Sequence, residues 1–182
     1  MRTIKAYNLR IVPPSPIFEE IVQFKQQFIQ TFGKQPYSGS KPHITLAYFI
    51  MHEEYQDMLA HIFNQLSSFK KFKLNIEGFD YFENREFVLY LNVPMTKDLE
   101  RIHKHIRILW QRDLHQKPGR ISIPKTPHLT ISKTKERELL HKSLSLFGEI
   151  PFSRQITVDH LTLVARPVDD TWDWEHTIPL SS

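Results

Sequence analysis

The sequence predicts an α+β fold in which one unit has two lobes, each mixing sheet and helix. Three observations predict it. The order strand, helix, loop, strand, helix occurs twice along the chain. The second strand of each set opens with one pattern, Pro42–His43–Ile44–Thr45 and then Pro127–His128–Leu129–Thr130, with the two histidines 85 residues apart. Five glycines, with neither GxGxxG nor GxxxxGK among them, speak against a dinucleotide-binding sheet or a P-loop. With 182 residues, 40% of them hydrophobic and 24% charged, the chain can bury a real core. The reading is a single bilobal domain over 1–182, with related halves at approximately 1–70 and 85–150.

Each element has a local reason. Residues 4–12, IKAYNLRIV, alternate as a strand does and stop at Pro13, Pro14 and Pro16. Ser15 can cap the next helix with Pro16 in its first turn, and Ile17, Ile21, Phe24, Phe28 and Phe32 form its apolar stripe. Residues 33–42 read as a loop, 43–50 as a strand, and 53–68 as a helix carried by Tyr55, Met58, Leu59, Ile62, Phe63 and Leu66. The stretch 72–93 reads as a hairpin turning at Glu83–Asn84–Arg85. Thr96 is the expected cap of a helix that turns Leu99, Ile102, Ile106 and Leu109 inward. A loop at 115–127, a strand at 128–133 and a helix at about 135–146 complete the second set. Residues 150–166 are expected to return as two extended stretches broken near Ser153–Gln155. The tail 167–182 is expected to lie across the surface, anchored by Trp172 or Trp174.

Composition removes several kinds of chemistry. With no cysteine, disulfide scaffolds, thiolate metal sites and cysteine nucleophiles are excluded. The formal charge of +4 conceals an uneven layout: all 24 cationic residues but 16 of the 20 acidic ones precede residue 167, a net of +8 before an acidic tail. The first residues are too polar for a signal peptide, and no apolar run approaches the ~20 residues that cross a membrane. The expectation is therefore a cytoplasmic protein with no membrane association and no obligate protein partner.

The two PHxT segments carry the chemistry. Side chains alternate along a strand, so His43 and Thr45 share a face, as do His128 and Thr130. Ile44, Leu46, Leu129 and Ile131 anchor the opposite faces. If the halves face one another across a groove, two imidazoles and two hydroxyls converge. That set suits cleavage of a phosphodiester or its reversal. One imidazole takes a proton from the attacking oxygen, the other protonates the departing one, and the hydroxyls donate to non-bridging oxygens. The scheme needs no metal and no cofactor.

The paired His–hydrophobic–Thr motifs resemble those of the two-histidine phosphoesterase superfamily, and within it the 2′–5′ RNA ligase-like and RNA 2′,3′-cyclic phosphodiesterase proteins. The resemblance implies a bilobal, pseudo-symmetric duplicated fold with two small sheets around a central cleft and outer helices. It implies metal-independent hydrolysis of 2′,3′-cyclic phosphates or 2′–5′ phosphodiesters, with reversal as 2′–5′ RNA ligation. The partners it implies are RNA ends or small cyclic or 2′–5′-linked nucleotides. By the same analogy His43 is the general acid and His128 the general base, with Thr130 placing the water. The motifs part company beyond their cores, where Ala47 and Tyr48 follow the first, and Ser132 and Lys133 the second.

Around this centre, Lys34, Lys41, Lys117, Arg120 and Lys125 give the two preceding loops a charge of +5, suited to a phosphate. Ser132 follows the inward parity of His128 and Thr130 and joins Thr45 and Thr130 as a phosphate contact. Arg85 and Tyr90 are further substrate-binding candidates. Tyr37 and Phe82 could stack on a base, whereas alternation sets Tyr48 on the face opposite His43. His52 and Glu53 lack an HExxH continuation, so no metal site is expected. Two other readings stay open. One is a non-catalytic binding module for RNA ends or phosphorylated nucleotides, and the other is a metallohydrolase using several of the ten histidines.

Overall fold

The computed structural model describes residues 3–115, 119–168 and 170–182. The alternating stretches fold as expected into β1 (Ile4–Ile11), β2 (Ile44–His52), β3 (Phe72–Glu83), β4 (Phe87–Asn92) and β5 (His128–Thr134), followed by β6 (Ser153–Val158), β7 (His160–Pro167) and β8 (Trp174–Pro179). Four helices separate them: α1 (Ile17–Phe32), α2 (Gln56–Phe63), α3 (Lys97–Leu109) and α4 (Arg137–Phe147). Short 3₁₀ turns flank α2, and a π turn over Trp110–Leu114 extends α3. Among the described residues no helix is long and apolar enough to cross a membrane.

The expectation of two small sheets around a cleft is wrong. All eight strands form one continuous antiparallel sheet in the order β6-β3-β4-β5-β2-β1-β7-β8. The join is made where both PHxT strands begin. Ile44 and Leu129 pair, and from that point β2 and β5 run apart in opposite directions. Further along β2, Tyr48 instead exchanges two 2.8 Å backbone bonds with Ser122 of the long basic loop. Element order does not encode which edge strands meet, so the sequence could not distinguish one sheet from two.

The helices cross between the halves. Helix α1 follows β1 yet packs on β5 and against α4, while α2 and α3 pack together. Phe24 of α1 stands edge-on to Phe79 of β3 at 5.0 Å, and Phe28 stacks with Phe147 of α4. On the other half, Phe49 of β2 stacks between Tyr7 and Phe63 and touches Trp110. These rings join the leucines and isoleucines of the sheet in one core under the helices, so burial of apolar area holds both halves as a unit.

Three local expectations need correction. Ser15 does not cap α1: its hydroxyl donates to Glu19 at 2.7 Å, and Pro16 occupies the cap position without a side-chain bond. Thr96 does cap α3, accepting from the Leu99 amide at 3.2 Å. The break in 150–166 falls at Asp159, between β6 and β7, because Ser153–Val158 pairs with β3 and His160 onward pairs with β8. The tail forms β8, the last strand of the sheet, in place of a surface strap.

Candidate active site

The sheet join sets the geometry. In an antiparallel pair, residues one step either side of an opposed pair are also neighbours, so His43 lies beside Thr130, and Thr45 beside His128. All four point away from Ile44 and Leu129, both fully buried in the core. The PHxT segments therefore sit side by side on one face of one sheet, and do not oppose each other across a groove.

Both imidazoles are held the same way. His43 Nδ1 lies 2.7 Å from the carbonyl of Lys41, and His128 Nδ1 lies 2.9 Å from that of Thr126. A carbonyl only accepts, so each Nδ1 carries its proton and each Nε2 is left to exchange one. Both rings are partly buried, which disfavours the imidazolium. His43 is pushed down to about 4 by burial and by the charges of Arg10, Lys25 and His128, against the pull of the Lys41 carbonyl. His128 is lowered by burial, and the Thr126 carbonyl opposes the shift.

Matching β-bulges shape the strands beyond the motifs. Arg10 pairs with Thr45 but Leu9 pairs with Ala47, leaving Leu46 extra. Likewise Tyr90 pairs with Thr130 but Leu89 pairs with Ser132, leaving Ile131 extra. An extra residue reverses the alternation that follows. Ser132 is therefore turned to the core side with Leu89, where its hydroxyl is buried without a partner, and it does not share the face of His128. Tyr48, expected on the wrong face, lies on the face of His43 opposite Asn8.

The neighbours of the two motifs differ. Beside the first, Arg10 Nε donates to Asn8 Oδ1 at 3.3 Å, and Asn8 Nδ2 donates to Thr45 Oγ1 at 3.2 Å. A guanidinium can only donate, which fixes the Asn8 amide; the Thr45 hydroxyl, having accepted, is left to donate outward. The Arg10 guanidinium lies 4.4 Å from the Trp172 ring centroid. Lys25 reaches the join from α1, donating to Ser40 Oγ at 3.1 Å and approaching the Thr130 carbonyl at 3.5 Å. Arg10 and Lys25 are only 5% and 4% exposed, and among the described residues neither has an ion-pair partner. Burial accordingly lowers Arg10 to about 10 and Lys25 to about 8. Beside the second motif the wall is aromatic. Phe82 stands edge-on to His128 at 5.0 Å, Tyr90 lies 5.2 Å from it, and the two rings are 4.3 Å apart.

The remaining substrate-binding candidates scatter. Tyr90 is at the site but buried, raised to about 12 by burial and by Asp80. Lys41 is exposed and serves His43 through its carbonyl. Arg120 rims a cavity of about 500 Å³ with Tyr48, Ile4 and Ile50, and Lys125 is exposed three residues before His128. Arg85 is remote: Asn92 of β4 pairs with His128, and Arg85 lies in the turn beyond the other end of that strand. Lys117 lies outside the described residues. Asn8, Arg10 and Lys25 were missed. Their signals were two polar residues on one face of an apolar strand, and one lysine four residues after Ile21 on the apolar side of a helix. Among the described residues no three His, Asp or Glu side chains gather as a metal site.

Known structures share this architecture. The TT0787 protein of Thermus thermophilus superposes with a TM-score of 0.66 at 15% identity, covering 97% of this chain and 100% of that one. E. coli LigT, solved with 3′-AMP, gives 0.64 at 17% identity over 97% and 95% of the two chains. Usb1 of Kluyveromyces marxianus gives 0.52 at 11% identity over 98% and 99%. At such identities the likeness is one of fold. No curated protein sequence matches the chain. The family model of the 2′-5′ RNA ligase superfamily matches residues 13–170, a span that contains both PHxT segments, and the chain belongs to that superfamily.

Proposed function

We propose that the protein is a metal-independent phosphoesterase that hydrolyses 2′,3′-cyclic phosphates of RNA or nucleotides, or 2′–5′ phosphodiesters, by paired-histidine acid–base catalysis. One observation carries the proposal: two imidazoles on one sheet face, each fixed through Nδ1 by the carbonyl two residues before it, each with Nε2 unbonded among the described residues. Water attacks phosphorus. One Nε2 accepts its proton while the other imidazole, protonated, gives a proton to the departing ribose oxygen as the P–O bond breaks. Thr45 donates outward to a non-bridging oxygen, and Thr130, beside His43, is placed to do the same. Arg10 and Lys25, buried and among the described residues without an ion-paired carboxylate, supply the positive field that an anionic substrate answers. With a 5′-hydroxyl attacking a 2′,3′-cyclic phosphate in place of water, the P–O bond to the 3′-oxygen breaks and a 2′–5′ link forms, so the same proton transfers describe ligation.

The test is a panel of 2′,3′-cyclic nucleotides and 2′–5′ dinucleotides, with the remaining phosphate ester identified in each product. Turnover is expected to survive a chelator and to fall about 10²-fold or more in His43→Ala and in His128→Ala. Undiminished turnover in both variants sinks the mechanism. Saturable binding without turnover across the panel replaces it with a binding module for RNA ends.

A further inference from the structure

We propose that the face carrying His43 continues along β2 into a second nucleoside site, the cavity of about 500 Å³ beside Tyr48, Ile50 and Arg120. Its occupant is a nucleotide of the same RNA chain, on the 5′ side of the reacting end. This rests on the phosphoesterase reading above and narrows its substrate to an oligonucleotide end in place of a free cyclic nucleotide.

The face leads there without a break. Thr45 is bonded to Asn8 of β1, and Asn8 stands opposite Tyr48, which points with His43 beyond the bulge. Ile50 and His52 follow Tyr48 by alternation, and Ile4 pairs with His52 across the strands. Ile4 and Ile50 are 48% and 42% exposed, so this end of the face offers water an apolar patch with Tyr48 half-buried beside it. A loop closes the other side. After Ile44, β2 no longer pairs with β5, and Ser122 takes the free edge through its two backbone bonds to Tyr48. Gly119 permits so close a crossing: its φ is +151°, and a Cβ there would meet the Ile50 carbonyl at 2.8 Å. The crossing brings Arg120 to the cavity, and among the described residues Arg120 has no ion-pair partner. Glu53, next to His52, is neutralised by Lys5 at 2.8 Å. What fits is a flat apolar ring that carries an anion: a nucleobase against Tyr48 and the two isoleucines, with its phosphate toward Arg120. Tyr48 and Ile50 lie three and five residues past Thr45, roughly 10 to 16 Å along the strand. That is beyond the reach of one nucleotide whose phosphate sits at the imidazoles, so a mononucleotide leaves the cavity empty and a chain fills it.

The test compares 2′,3′-cyclic AMP with the trinucleotide ApApA ending in a 2′,3′-cyclic phosphate. The wild type is expected to use the trinucleotide with a kcat/KM about 10-fold or more higher, the scale of one stacked base. Ile50→Glu, a change at an exposed strand position, is expected to bring the two substrates within about 2-fold while turnover of cyclic AMP stays unchanged. If a melt shows Ile50→Glu unfolded, the milder Ile4→Ser on β1 carries the same expectation. Equal use of the two substrates by the wild type, a preference kept in the folded variant, or loss of cyclic AMP turnover in step with the trinucleotide overturns the second site and leaves the phosphoesterase reading standing. No turnover of either substrate by the wild type overturns that reading, and calorimetry then judges the site alone. The 3′-phosphorylated trinucleotide should bind the wild type about 10-fold tighter than 3′-AMP and lose that margin in the variant; equal affinities in the wild type overturn the site as well.

Discussion

The two motif strands differ in a way their shared backbone hides. Both carry a histidine tied to the carbonyl two residues back, a threonine beside it and a bulge one residue beyond that threonine. Across from Thr45, however, stands Arg10 in a polar chain with Asn8, whereas across from Thr130 stands Tyr90 against Phe82. The two motif strands share what aims the imidazoles and differ in what sets their charge. Geometry repeats because bulge and carbonyl are backbone features tolerant of many side chains. Charge does not repeat because each ring's neighbours come from other elements.

The largest effect expected from breaking this asymmetry comes from Arg10→Tyr, which gives the first motif the second motif's neighbour. It removes the buried cation and the bond that orients Asn8, and kcat/KM at neutral pH should drop by about 10²-fold, comparable to losing a preorganised donor. Tyr90→Phe keeps the ring and should cost less than about 10-fold; equal losses in the two variants would show that the difference between the halves is idle.

Stability against pH sharpens the same contrast. His43 is lowered to about 4 in the folded chain, while an unfolded histidine titrates near 6.5. Its contribution is present above about pH 6.5 and is lost as pH falls toward 4, because the unfolded chain takes up the proton first. Denaturant midpoints followed across that window should fall less steeply in His43→Asn than in the wild type. Lys25 gives the alkaline counterpart. Lowered to about 8, it makes the wild type gain stability relative to Lys25→Met as pH rises from about 8 to about 10, with neutral-pH stability of the variant equal or higher and its turnover lower.

The smallest effect compares the helices that begin the two sets. Thr96→Ala should cost about 1 kcal/mol through loss of the bond to the Leu99 amide, and Ser15→Ala only a few tenths, since Ser15 caps nothing. Matched thermal or denaturant melts check both.

Strand and helix positions were legible because they rest on alternation and on the 3.6-residue stripe, as in β1 and α1. His43, Thr45, His128 and Thr130 were legible for the same reason, since parity over three residues survives any later irregularity. Ser132 and Tyr48 were misread because each lies beyond a bulge, and one extra residue exchanges the faces without changing composition. Arg10 and Lys25 are harder to read because a polar residue in an apolar strand and a lysine on the apolar side of a helix mark burial at most, and do not say which motif the charge will reach.

By itself, then, the sequence determined the duplicated order of elements, the two PHxT strands and the four side chains they turn to one face. Those are consequences of local stereochemistry. The tertiary structure decided that the strands join at Ile44 and Leu129 into one sheet, and which charges reach each ring. Strand partners and helix crossings depend on burial summed over the whole chain, which no short stretch of residues contains.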